Sequence, residues 1–328
     1  MIEPLGPLHL LLFGPFGRVV AGLWGALWGS FFNVVIIRLP DDESVVRPAS
    51  HCRSCGAPIR WFDNIPILSY VILLGRCRGC GARFSIRYLL VELLVLALSL
   101  TLHQLFVVQG VSSPGGLGLR VAQFVITSLF CGLLVAIAFI DLDTYRIPDL
   151  ITYPAIPLCA VLSLFMGLPH MYWDGPLGAV AGYAVIRLIA DGYRLITGRE
   201  GMGYGDAKLL AMIGGLMGWQ VLLPTLFLSA LQGSVIGITA LVLVRGRGAP
   251  PDGAGSAGSG AGDEAAGRDE TAGADADVET EAADAAPGAI EAPSLRHSKL
   301  PFGPFLSLAA IEILLLRDWL EVFFPYLL

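Results

Sequence analysis

Runs of about twenty apolar residues recur along this chain, and nothing else in it restricts the fold so tightly, since a helix of that length crosses the hydrocarbon core of a bilayer. They lie near residues 17–37, 87–109, 120–140, 150–168, 176–196, 207–222, 225–244 and 303–320. The sixth is short, glycine-rich and parted from the seventh only around Pro224. Composition agrees: hydrophobic residues make up 55% of the chain and charged ones 15%, against about a quarter charged in a soluble domain, and the mean hydropathy is +0.70. The expected fold class is an all-α polytopic membrane protein of about eight transmembrane helices.

Loops on the cytoplasmic side of a membrane collect Lys and Arg. Eight arginines fall from Arg38 to Arg87, and Arg146, Arg194, Arg199, Lys208, Arg245 and Arg247 follow at alternate helix ends. The opposite ends carry only Arg18, Arg120 and Arg317. This bias predicts an outside N-terminus and cytoplasmic loops at 38–86, 141–149, 197–206 and 245–302. The start, Met1-Ile2-Glu3-Pro4, lacks a basic n-region, so the first apolar helix is expected to be retained.

The net charge of −6 belongs to one segment: residues 252–291 hold eleven acids against the single Arg268, leaving the remainder at +4. Residues 246–292 are a Gly, Ala, Asp and Glu tract with almost no large apolar side chain, which predicts a disordered linker. The chain therefore divides into a first membrane segment (1–37), a cytoplasmic cysteine domain (38–86), a membrane core (87–245), the acidic insert (246–299) and a last membrane helix (300–328).

The first loop carries Cys52-Arg53-Ser54-Cys55-Gly56 and Cys77-Arg78-Gly79-Cys80-Gly81. Two Cys-x-x-Cys-Gly knuckles 21 residues apart approach the spacing of a four-thiolate zinc site. A glycine after each second cysteine lets backbone amides turn toward the sulfurs. Four ligands close a tetrahedron, so the expected ion is a structural Zn2+ on Cys52, Cys55, Cys77 and Cys80. Redox-active dithiols are the other reading, and His51 a lesser candidate ligand. Cys131 and Cys159 lie in apolar runs and read as buried small hydrophobes.

An acid at a membrane edge is expensive and needs a reason. Asp206 follows Gly201-Met202-Gly203-Tyr204-Gly205, where a polar loop gives way to an apolar run. Glycines let another backbone approach closely, which marks Gly203 and Gly205 as candidate substrate-binding positions. A second acidic group, Asp141, Asp143 and Asp149, is expected on the same face. Two such carboxyls suit an aspartic dyad: one takes a proton from water while its protonated partner polarises the scissile carbonyl. Asp141, directly after the apolar run, is the preferred partner of Asp206. Asp143 reads better as a supporting residue, Asp149 as a first-turn helix acid, and Lys208 as a snorkelling or phosphate-facing cation.

In order along the chain, Gly29-Ser30-Phe31-Phe32-Asn33, Arg38-Leu39-Pro40, the cysteine tetrad around Asn64-Ile65-Pro66, Arg87-Tyr88, Glu92, the Asp141 segment and Gly201 to Leu210 resemble the type IV prepilin peptidases, bifunctional leader peptidases and N-methyltransferases of bacterial inner membranes. Arg53 and Leu89 stand where that family commonly has prolines. The resemblance implies a Gly-x-Gly-Asp aspartic protease with Asp141 and Asp206 as its dyad. Prepilins or pseudopilins of type IV pili or type II secretion would be its substrates, cut between a basic leader and an apolar segment. It also implies methylation of the new N-terminal residue from S-adenosylmethionine, for which the sequence marks no binding residues. No nucleic-acid partner is expected. A transporter and a zinc-bearing scaffold are the readings from other classes. Acids gathered at helix ends speak against the first, and the Gly-x-Gly-Asp element against the second.

Overall fold

The computed structural model describes residues 12–110, 116–166, 171–198, 203–247 and 301–323. Gly201, Met202 and the acidic tract from residue 248 lie outside the described residues. The chain runs through α1 (Pro15–Arg38), a short α2 (Leu68–Ile72), α3 (Arg87–Leu102, widening into a π-helical stretch, His103–Gln109), α4 (Leu117–Thr144), α5 (Asp149–Leu162), α6 (Asp174–Thr197), α7 (Tyr204–Met217), α8 (Leu222–Arg247) and α9 (Gly303–Phe323). Residues up to Ile236 and from Pro301 make one compact unit, and Gly237–Leu300 a second.

Each expected apolar run coincides with a helix, but the count of eight spans is not met by length and apolarity. Among the described residues four segments are long and apolar enough to cross a membrane: Pro15–Asp41, Arg87–Gln109, Leu117–Thr144 and Trp219–Ala240. The others fall short for physical reasons. α5 is 14 residues long and holds Pro154 and Pro157. α6 carries Arg187, Asp191 and Arg194. At 14 residues and ~1.5 Å per residue, α7 is about 21 Å long. The expected break at Pro224 falls earlier, at Gly218, whose φ of +94° is a conformation glycine adopts freely. Pro224 sits inside the first turn of α8, where a missing N–H costs nothing.

Close helix contacts depend on small residues. A Cβ at Gly178 of α6 would lie 2.2 Å from the carbonyl oxygen of Gly214 in α7, and one at Gly182 would lie 2.6 Å from that of Leu210. This seam brings the two backbones together, as small residues do between membrane helices. Residues Asp206 to Met217 of α7 are all buried, with α5, α6 and α9 packed against them. α7 is therefore an interior helix. Likewise, Gly25 and Gly29 of α1 seat against α3 at Ser99, Leu96 and Glu92.

Candidate active site and cysteine cluster

The two knuckles fold alike. Cys52 N–H donates to Ala57 O at 2.9 Å and Gly56 N–H to Cys52 O at 2.8 Å; Cys77 N–H donates to Ala82 O at 2.8 Å and Gly81 N–H to Cys77 O at 2.9 Å. Gly56 and Gly81 close these turns at φ +71° and +72°, left-handed values that favour glycine. The four sulfurs lie within 4.8 Å of one another, and Cys52 Sγ is 3.9 Å from Cys80 Sγ. A tetrahedral ion with Zn–S bonds of ~2.3 Å sets its sulfurs about 3.8 Å apart, so the cluster fits such an ion. Its electrostatics fit as well. Backbone N–H groups of Cys55 and Ser54 directed at Cys52 hold its thiol down, at about 6. At Cys80 the Ala82 N–H pulls the same way, but hydrogen bonds with the Cys55, Cys77 and Cys52 sulfurs, together with burial, push the thiol up to about 11. Four thiolates this close need a cation, and a divalent ion supplies one. His51 stands aside, its Nδ1 3.2 Å from Ala49 O.

The cysteine loop reaches the membrane helices at Arg53, whose Nη2–H donates to Ile37 O of α1 at 3.5 Å, and at Ile67. Ile67 N–H donates to the buried Glu92 Oε2 of α3 at 2.7 Å. Arg87, the first residue of α3, donates Nη2–H to Phe139 O of α4 at 2.9 Å, pairs through Nη1 with Asp143 and lies over the Phe139 ring at 4.9 Å. The C-terminal turn of α4, which carries Asp141, is thus held from the side of the cysteine loop.

Asp141 ends α4 at 5% exposure and Asp206 opens α7 at 9%. Ile147 links their surroundings: its side chain lies 3.2 Å from a Cβ placed at Gly303, whose N–H goes to Asp141, and 3.0 Å from one placed at Gly205, next to Asp206. Asp206 is the third residue of its helix, after the N-cap Gly203, where a helix N-terminus favours a carboxylate, and its Oδ2 lies 3.6 Å from a Cβ placed at Gly203. Asp141 Oδ2 accepts the Gly303 backbone N–H at 3.0 Å from the start of α9.

Asp143 and Asp149 take supporting places. Asp143 pairs with Arg87, and Asp149 opens α5 and pairs with Lys208. Lys208 departs from the expected snorkelling cation: it is 7% exposed, held inward by Asp149 and by the Tyr153 ring 4.5 Å from Nζ. Gly203 is exposed and Gly205 half-buried. A Cβ on Gly205 would lie 3.0 Å from Ile147 Cβ, giving this glycine a packing reason of its own.

Two residues of the cluster escape sequence reasoning. Ile147, 9% exposed, wedges between Gly205 and Gly303, within 3.0 Å and 3.2 Å of their Cβ positions. Gly303 is the other. The Gly303-Pro304 pair after the acidic tract was the available signal, but nothing local ties it to an acid 162 positions earlier.

Residues 23–106 match the family model of the bacterial peptidase A24 N-terminal domain, and residues 128–238 that of the type IV leader peptidase family. A protein of Myxococcus xanthus named prepilin leader peptidase/N-methyltransferase is 34% identical over 95% of this chain and 94% of its own length. Proteins of that name from Aeromonas salmonicida and Neisseria gonorrhoeae are 40% and 36% identical, over 68% and 72% of this chain and 80% and 85% of their own lengths. No solved structure matches.

Proposed function

The chain belongs to the type IV leader peptidase family, and we propose that it removes the leader of prepilins or pseudopilins and methylates the new N-terminal residue with S-adenosylmethionine. The observation that supports the cleavage reading is that Asp141 and Asp206, 65 positions apart, are both buried at helix ends that share Ile147 as a neighbour. In this reading one carboxylate takes a proton from the attacking water while the protonated partner hydrogen-bonds the scissile carbonyl and polarises it. Like charges so placed do not ionise together easily, so the pair shares a proton. The exposed Gly203 offers backbone beside which an extended leader can lie, and Gly205 lets Ile147 close the floor of the site.

The arginine bias of the loops supports a site facing the cytoplasm of the bacterial inner membrane, where the substrate's apolar helix stays in lipid and its leader in water. About eight membrane helices are proposed, in a chain divided into a first membrane segment (1–37), a cytoplasmic cysteine domain (38–86), a membrane core (87–245), the acidic insert (246–299) and a last membrane helix (300–328). Cys52, Cys55, Cys77 and Cys80 are the residues that would hold a structural zinc, whose chemistry there is cross-linking two knuckles into one domain, with no open position for water. That domain stands over α1 and α3 and shapes the face the leader reaches.

The reading is tested on membranes carrying the protein, given a prepilin. Asp141→Asn and Asp206→Asn should each abolish leader removal, and a variant that cuts at the wild-type rate loses its place in the dyad. Mass spectrometry of the mature pilin should find the N-terminal residue heavier by one methyl group.

A further inference from the structure

In the first turn of α9, from Gly303 to Leu306, the backbone donors divide between the turn itself and Asp141. Pro304 has no N–H, and Phe305 and Leu306 N–H both bond to Phe302 O, at 3.1 and 3.2 Å. The N–H groups that open a helix have no intrahelical acceptor, and here the one remaining, that of Gly303, goes to Asp141 Oδ2 at 3.0 Å. Such closeness requires glycine. A Cβ at position 303 would lie 2.6 Å from Asp141 Oδ2, 3.1 Å from its Cγ and 3.2 Å from Ile147 Cδ1, so any side chain would displace the carboxyl group or the helix. Asp141 thereby has one oxygen fixed by a donor that cannot swing away, as a side-chain hydroxyl would.

We infer that Gly303 is a positioning residue for leader cleavage: its N–H holds one oxygen of Asp141 and so aims the other at the water shared with Asp206. This rests on the reading of Asp141 as half of the dyad. It brings the last helix, which follows the acidic insert in sequence, into the cleavage machinery. A charge-assisted bond to a carboxylate is among the stronger hydrogen bonds, and a reacting group misplaced by 1 Å costs about 100-fold in rate.

The test compares full-length wild type, Gly303→Ala and Asp141→Asn in membranes, measuring kcat and KM for prepilin cleavage and, separately, methylation of a pilin already cut. Gly303→Ala should lower kcat by about 100-fold with KM within about 3-fold, and leave methylation in place. A kcat within about 3-fold of wild type, or a change confined to KM, would overturn the inference. Active Gly303→Ala beside inactive Asp141→Asn removes this inference alone; active Asp141→Asn removes the dyad reading beneath it. If Gly303→Ala loses methylation as well, the chain has misfolded, and the doubly substituted Asp141→Cys, Gly303→Cys protein decides. Oxidation should join positions 141 and 303 in one cross-linked peptide, and its absence from chain that retains methylation overturns the proposal.

Discussion

Replacing Gly178 with alanine tests how tightly the position of Asp206 depends on the α6–α7 seam. The new Cβ would stand 2.2 Å from Gly214 O, whereas an ordinary carbon–oxygen contact is near 3.4 Å. The two helices must therefore part by about 1.2 Å at this level or tilt about it. Gly214 lies eight residues beyond Asp206 on the same helix, about 12 Å along its axis, so a rigid shift of α7 carries the carboxyl with it. A displacement of that size corresponds to a cleavage rate about 10- to 100-fold lower, or ~1.4–2.7 kcal/mol of barrier. Overpacking adds a stability loss of about 1–3 kcal/mol. Gly192→Ala is the control: it is on the same helix, a Cβ there meets nothing within 4 Å, and alanine is the better helix former. Both variants would be compared in detergent for thermal unfolding and in membranes for prepilin cleavage at equal protein. Equal rates and equal melting for the two would refute the claim that this glycine seam places Asp206.

Three further outcomes follow from the contacts. Purified protein should carry about one zinc ion per chain by elemental analysis and lose it when Cys52, Cys55, Cys77 and Cys80 are all changed to serine; retention would remove the site. Arg87→Lys gives up the fork that reaches both Phe139 O and Asp143, a geometry an ammonium does not reproduce. Cleavage should fall about 10-fold, or ~1.4 kcal/mol, at unchanged zinc content, and an unaffected rate would show that this tie does not matter. The Lys208–Asp149 pair should respond asymmetrically, because the lysine side chain is 9% exposed and the aspartate 60%. Asp149→Ala strands a buried cation and should cost on the order of 3 kcal/mol in unfolding experiments. Lys208→Met frees an acid already in water and should cost under about 1 kcal/mol; equal losses would contradict the burial argument.

The parts of the site written in local patterns were legible in the sequence. Cys52, Cys55, Cys77 and Cys80 carry their geometry in their spacing, because each knuckle is a short hydrogen-bonded turn closed by its own glycine. The ends of α4 and α7 were marked by acids at the edge of apolar runs. What the sequence did not reveal is long-range or depends on packing. Lys208 was read as a cation reaching for water, since a single chain does not disclose that α5 places Asp149 beside it. Gly205 looked like a gap for substrate, and only the fold brings Ile147 against it. Gly303 is separated from its acid by most of the membrane core, and a backbone donor has no signature in residue type.

The shortness of α7 and the position of Asp206 have a common cause. A helix facing lipid must be long and apolar all round, whereas one enclosed by protein needs neither property. α7 is buried from Asp206 to Met217 and is held by glycine contacts to α6, so it can be short, glycine-rich and opened by an acid. Its N-terminus lies at the same end as the start of α9, the end of α4 and, through Arg87, the base of the cysteine domain. Enclosure removes lipid from around both carboxyls, while the short helix ends where a polar loop begins. A hydrolase whose substrate helix stays in a membrane needs both conditions, a site apolar enough to keep two carboxyls sharing a proton and an edge at which water and an extended leader can enter.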